Sequence, residues 1–424
     1  MNYRDVLEAL RERSGGGSIY TLDRMALLLD ALGHPERRYP TWLVAGTNGK
    51  GSVAAMLEAI AREAGLRTGL NTSPHLNRLS ERIRVGGDEL REPELVVLFE
   101  RVEAARRSAG IDITFFETVT AMAMLGFAEH GVTRGVFEVG LGGRLDATNL
   151  LDPQVSAVVS IDLDHVGILG ETRDRIAREK AAIARRGRPL VLGLLGAEAM
   201  TASLEVAARI GARVVQAETH LRDLQHDAPR IEHPLGCVAL QPALQGPHQL
   251  ANAAVAALVA LESGLPAELI ARGIAATRWK GRMERVDRGG RPYLLDCAHN
   301  EAGALALGHA LHGQVHGYEL VLATSGGRDT AAFVRALARG LGWPAAVQTC
   351  QPSGHRLIPA TEVRDRVSQA LPPGIDIATA ASVPQALERA PRAPLCLVTG
   401  SIFLVAEALA ELRGEAQDPF ATGR

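Results

Sequence analysis

A chain of 424 residues exceeds the size at which one apolar core usually stops growing, so two domains are expected. Its 46 Lys and Arg nearly cancel its 48 Asp and Glu. No global field therefore draws it to nucleic acid or anionic lipid, and any anion must be held by a local site. Cys237, Cys297, Cys350 and Cys396 show no CxxC pair and no zinc-like spacing, the start carries Asp5, Glu8 and Glu12 instead of an apolar signal core, and no run of about 18 uncharged apolar residues occurs. The reading is a reduced, cytoplasmic protein that does not engage a membrane.

TWLVAG (41–46) is rich in strand formers, and KGSVAAMLEAIAREAG (50–65) has helical periodicity ending at Gly65, a C-cap residue. A strand, a glycine turn and a helix present backbone N–H groups and a helix N-terminus, both of which attract phosphate oxygens. Lys50 can neutralise charge on the β/γ-phosphates and the Ser52 hydroxyl can ligate magnesium. The spacing departs from GxxxxGK[ST], because Val44 stands at the first glycine and Gly51 separates Lys50 from Ser52. Residues 45–52 are nevertheless read as a phosphate loop for ATP and magnesium.

Further apolar runs follow at RGVFEVG (134–140) and QVSAVVSIDLDH (154–165), with helical segments between them. This alternation predicts a mainly parallel sheet covered on both faces, with ligands at strand C-terminal ends. Glu138 ends one strand and can offer magnesium a hard oxygen, while Gly140, Gly142 and Gly143 permit close backbone approach. Asp162, Asp164 and His165 end another; the chemistry leaves His165 open between a structural and a ligating role. Lys180 lies on a helix and reads by itself as a surface lysine. HQLANAA (248–254) puts His248 and Asn252 on one helix face.

A second alternation begins with YLLDCAHN (293–300) and continues through YELVLAT, PAAVQTC and PLCLVTGS. It places a boundary near Glu284, giving domains 1–284 and 285–424. The fold class is α/β, a P-loop-containing N-terminal domain with a mainly parallel sheet plus a smaller Rossmann-like C-terminal domain.

GTNGKGS (46–52) resembles the loop of the folylpolyglutamate and dihydrofolate synthases, a branch of the Mur ligase superfamily, and further matching motifs run in order from about Tyr20 to about Glu407. The resemblance implies that Thr47, Asn48, Gly49, Lys50, Gly51 and Ser52 hold ATP phosphates, with Asn252, Arg282, Asp296 and His299 completing the nucleotide site. It implies two magnesium ions held through Ser52, Ser73, Glu138 and His165, and a carbamylated Lys180 helping to hold metal. Lys50, Glu138, His165 and Lys180 are thereby the catalytic set. Thr21, Leu22, Asp23 and Arg24, the mobile-loop residue Arg82, Thr114, Phe115, Phe116 and Glu117, and Leu145, Asp146 and Ala147 match the family's folate-side segments. Leu43, Cys297 and the loose match at 323–329 depart from the family pattern.

Three functions follow as alternatives. The first is a ligase that phosphorylates the carboxylate of dihydropteroate or a folate with ATP and then joins it to L-glutamate, working as a monomer without nucleic acid. The second is a Mur-type ligase acting on a UDP-linked cell-wall precursor; about 45 residues before the loop leave little room for a UDP-binding domain. The third is a P-loop switch that hydrolyses nucleotide to regulate a partner.

Overall fold

All five residues of strand β1 (Thr41–Ala45) are buried, as in a central parallel strand covered on both faces. Successive side chains point to opposite sides. Leu43 and Ala45 join Tyr39, Phe99, Phe127 and Phe137 in one apolar cluster, while Trp42 and Val44 are buried against the other face. The computed structural model describes residues 1–13, 21–223, 228–353, 357–389 and 393–418. They form two compact units, the first from Met1–His75, Leu79–Ala243 and Gln249–Arg278, the second from Leu76–Arg78, Leu244–His248 and Trp279–Arg424.

The first unit is built on eight strands: β1, β2 (Thr68–Asn71), β3 (Ile83–Val85), β4 (Asp88–Glu89), β5 (Arg134–Glu138), β6 (Val155–Val158), β7 (Pro189–Leu192) and β8 (Arg213–Gln216). Their order is β4-β3-β2-β5-β1-β6-β7-β8. The pairs from β2 through β8 are parallel, and β3 and β4 form an antiparallel edge. Helix Lys50–Glu63 joins β1 to β2, helix Phe115–Glu129 precedes β5, and helix Arg173–Ala181 lies between β6 and β7. A small antiparallel sheet of β9 (Leu221–Arg222), β10 (Arg230–His233) and β11 (Gly236–Ala239) was not among the expected elements. Its strands of two to four residues are too short to carry a periodic signal.

The second unit holds β12 (Glu284–Arg288), β13 (Arg291–Leu295), β14 (Glu319–Leu322), β15 (Ala346–Cys350), β16 (Asp376–Ala380) and β17 (Cys396–Thr399), in the order β12-β13-β17-β14-β15-β16. Only β12 and β13 pair antiparallel. Gly289 and Gly290 both have positive φ, at +64° and +78°, which is what a two-residue primed hairpin turn demands. The anticipated boundary at 284/285 falls inside β12. Leu76, from the short upstream piece of this unit, is buried with Leu295, Cys297 and Val405.

Close helix packing in the first unit depends on Gly273 of helix Ala267–Ala276. A Cβ there would lie 2.4 Å from Ile60 Cα and 2.6 Å from Ile60 N, backbone atoms that cannot swing aside. Gly273→Ala should therefore cost about 1–3 kcal/mol, as overpacking does. The check is a urea titration with a lowered midpoint and unchanged slope; an unaltered midpoint would show that these helices part freely.

Candidate functional site

Strands β2, β5, β1 and β6 are neighbours and all parallel, so their C-terminal ends open on one edge of the first sheet. Ser73 follows β2, Glu138 ends β5, the glycine loop follows β1, and Asp162 to His165 follow β6. This is where an open α/β sheet collects ligand groups.

The loop between β1 and helix Lys50–Glu63 is clasped to the segment after β6. Thr47 N–H donates to Ser160 O at 2.8 Å. Asn48 N–H donates to Ser160 Oγ and that hydroxyl donates back to Asn48 O, both at 2.9 Å. Thr47 Oγ1 donates to Asp162 O at 3.2 Å and accepts from Asp162 N–H at 3.0 Å. The backbone N–H groups of Thr47 and Asn48 are thus committed to bracing. The N–H groups of the helix's first turn have no intrahelical carbonyl to receive them, which makes that turn the part of the loop suited to an anion. Gly49, at φ +83°, enters that turn in a conformation side-chain-bearing residues rarely adopt.

Two ammonium groups converge behind the loop. Lys50 Nζ donates to Gly46 O at 3.0 Å and to Thr47 O at 3.2 Å, while Lys180 Nζ donates to the same Gly46 O at 2.9 Å. Lys180 is buried, so the surface reading of this lysine is corrected: helix Arg173–Ala181 turns it inward against the loop. Burial, and next the neighbouring Lys50 charge, lower its pKa to about 7, against the pull of Asp164 and Asp146.

Glu138 is buried and accepts from the Ser73 N–H at 3.1 Å, tying the end of β5 to the turn after β2. Asp146 organises the glycine segment between them and the helix. One of its oxygens accepts from Gly140 N and Leu141 N at 3.0 and 2.9 Å, the other from Thr148 N at 3.0 Å and Thr148 Oγ1. Burial raises its pKa against these bonds. Leu145 is half-buried and Ala147 buried beside it. A Cβ on Gly143 would meet Glu179 O at 2.7 Å, so the segment presses on the helix that carries Lys180.

His165 is exposed and left-handed at φ +49°, its N–H on Asp164 Oδ1 at 2.9 Å. Asp162 is engaged by Arg173 at 2.8 and 3.1 Å. Among the described residues no three His, Cys, Asp or Glu side chains gather into a metal cage. The Glu138 carboxylate and the Ser52 and Ser73 hydroxyls, at neighbouring strand ends, are hard-oxygen donors of the kind magnesium accepts, an ion that usually keeps waters and so needs few protein ligands.

The residues of this unit that match the family's folate-side segments also make contacts with one another. Thr114 caps helix Phe115–Glu129 from Oγ1, and Glu117 reciprocates by accepting from the Thr114 N–H at 2.7 Å. Arg24 Nη2 lies 3.3 Å from the other Glu117 oxygen, and Thr21 braces Asp23 at the start of helix Asp23–Ala31. Leu22 is the residue before that helix. The Arg82 guanidinium lies 4.9 Å from the Phe115 ring centroid. Phe116 packs on Gly140, where a Cβ would come within 2.5 Å of the ring.

Sequence reasoning missed Gln249. It is buried, donates to Ser52 Oγ at 3.3 Å and accepts from Asn252 Nδ2 at 3.0 Å, while Asn252 Oδ1 sits where a Gly49 side chain would be. Its spacing of three from Asn252 on one helix face was the available signal.

Arg282, Asp296 and His299 belong to the second unit. Asp296 accepts from Met283 N at 2.9 Å and Ala298 N at 2.8 Å, and Met283 adopts φ +47°. His299 Nδ1 is 2.9 Å from Cys297 O, and Asn300 caps the next helix. Burial raises the Cys297 thiol to about 12, and lowers His248 beside Asp296 and Arg282.

The Mur ligase middle domain family matches residues 44–260. A probable bifunctional folylpolyglutamate synthase/dihydropteroate synthase of Halobacterium salinarum is 34% identical along an alignment 431 positions long that covers 96% of this chain and 51% of the relative, so the chain spans about half of that protein's length. Escherichia coli FolC in complex with DHPP and ADP superposes with a TM-score of 0.87 at 30% identity, covering 98% of both chains. Bifunctional folylpolyglutamate synthase/dihydrofolate synthase from Yersinia pestis, complexed with AMPPNP and Mn ion, gives 0.85 at 30% identity over 97% of this chain and 98% of that one. Matches of this extent and identity mean that the chain belongs to the folylpolyglutamate synthase/dihydrofolate synthase family of Mur ligases.

Proposed function

We propose that this chain is an ATP-dependent ligase that joins L-glutamate to the carboxylate of dihydropteroate, of a folate, or of both. The observation that carries the reading is the shortness of the segment after β5. Glu138, in the phosphate and metal neighbourhood, and Gly140, on which Phe116 of the folate-side cluster packs, are two residues apart. A carboxylate held against that cluster thus lies close to the group that would be transferred to it.

In the reaction, a substrate carboxylate oxygen attacks the γ-phosphorus and the bond to the β-phosphate bridging oxygen breaks, leaving ADP and an acyl phosphate. The glutamate amine then attacks the acyl carbon, loses a proton and expels inorganic phosphate. Lys50 and the helix N-terminus neutralise charge developing on the transferred group. Ser52, Ser73, Glu138 and His165 would hold two magnesium ions, which supply further charge neutralisation and orientation. A Lys180 amine that is partly neutral near pH 7 can add carbon dioxide and release a proton, giving a carbamate able to support metal. Asn252, Arg282, Asp296 and His299 are assigned to the nucleoside, and 285–424 to the domain that receives the amino acid. The relatives' ADP and AMPPNP support nucleotide use. No helix among the described residues is long and apolar enough to cross a membrane, and we assign the chain to the cytoplasm as a monomer.

Phosphate release from ATP should require dihydropteroate or a folate together with glutamate, and Lys50→Ala should lower it by about 100-fold or more, the scale of losing a charge-stabilising contact. Release indifferent to either substrate would overturn the ligase in favour of a nucleotide switch. Lys180 gives a pH prediction with a definite sign. Its folded pKa of about 7 lies below the unfolded value of 10.5, so the unfolded chain binds more protons between those limits and stability gains with rising pH. Urea unfolding in carbonate-free buffer should show the wild type gaining on Lys180→Met from pH 7 to pH 9; parallel curves would mean that the amine is not titrating in that window.

A further inference from the structure

Arg82 is 3% exposed and His75 8% exposed, both on the stretch between β2 and β3. Two independent contacts orient the arginine. Its guanidinium carbon lies over the Phe115 ring, 4.9 Å from the centroid, a cation–π contact. Its Nε–H donates to His75 Nδ1 at 2.7 Å, a bond that helps set the rotation of the group. Arginine only donates, so Nδ1 of His75 is the acceptor and the neutral ring carries its proton on Nε2. The main chain is held as well, because Arg82 O accepts from Asn71 Nδ2 at 2.9 Å and from Thr72 N at 3.4 Å. Phe115, the stacking partner, opens the helix in which Glu117 meets Arg24.

We infer that His75 is a specificity-determining positioning residue: it sets the angle at which Arg82, backed by Phe115, meets the carboxylate-bearing pterin substrate. The inference rests on the ligase reading above. Loss of the Nε–H bond to His75 removes one of the contacts that set the rotation of the guanidinium, and a bound carboxylate must then select the productive orientation at the expense of affinity. The effect belongs to substrate binding, since His75 acts through Arg82 and not on the reacting atoms.

The test is steady-state kinetics of the full chain as wild type, His75→Ala and His75→Asn, with melting temperatures measured alongside. Asn places an acceptor oxygen close to where Nδ1 lies. His75→Ala should raise KM for dihydropteroate or folate about tenfold, the scale of one immobilised polar side chain, with kcat and KM for ATP within about twofold; His75→Asn should recover most of the loss. In an Arg82→Ala background, His75→Ala should add nothing. If His75→Ala does not fold, His75→Leu against His75→Asn makes the same comparison. An unchanged KM, a fall in kcat at constant KM, or equal loss in both variants overturns the inference. A wild type that turns over no pterin carboxylate instead overturns the ligase reading on which it rests.

Discussion

The clasp between the glycine loop and the segment after β6 is the constraint on which the rest of the site depends. A turn of four residues between strand and helix has many conformations available to it, and binding phosphate to a loose one would require it to order on each cycle. The bonds joining Thr47 and Asn48 to Ser160 and Asp162 remove that freedom in advance. They work because β1 and β6 are adjacent parallel strands whose ends arrive together. They also decide which donors remain for an anion, namely those of the helix N-terminus.

Charge is arranged locally against a nearly neutral background. Lys50 and Lys180 both reach Gly46 O, an arrangement that would repel a second cation strongly in a dry environment. Burial first, and the Lys50 charge second, lower Lys180 toward neutrality, with Asp164 and Asp146 limiting the shift. A buried lysine shifted this far, beside a glycine loop at strand ends, is the kind of group that clusters at functional sites. Asp146 meanwhile serves as a brace: its carboxylate gathers the Gly140, Leu141 and Thr148 N–H groups, which keeps the Glu138 end of the segment and the Phe116 contact at a set separation.

Much of this was legible in the chain itself. The apolar runs at 41–46, 134–140 and 154–165 are long and regular enough to give β1, β5 and β6, and their flanking glycines and acids mark the strand ends. Short strands such as β4 and β9, of two residues each, carry no period and were not seen. Lys180 was singled out only through the family resemblance, because a lysine in REKAAI reads by itself as solvated until one knows which face of its helix meets the sheet. Gln249 was passed over because an amide on a helix has no chemistry until a partner stands beside it. His75 escaped for the same reason: it lies seven positions before Arg82 on a stretch with no α-helix, where spacing alone does not bring side chains together.

The sequence by itself determined the alternation of strands and helices, the family's ordered motifs, and the residue types able to bind phosphate, metal and a carboxylate. These are local properties, written in periodicity and in side-chain chemistry. Tertiary structure alone decided which strand ends share an edge, which N–H groups are spent on bracing, which lysine is buried, and which histidine orients Arg82. Each of those depends on the distance between groups far apart in the chain, and on the water excluded between them, and neither quantity exists until the sheet has formed.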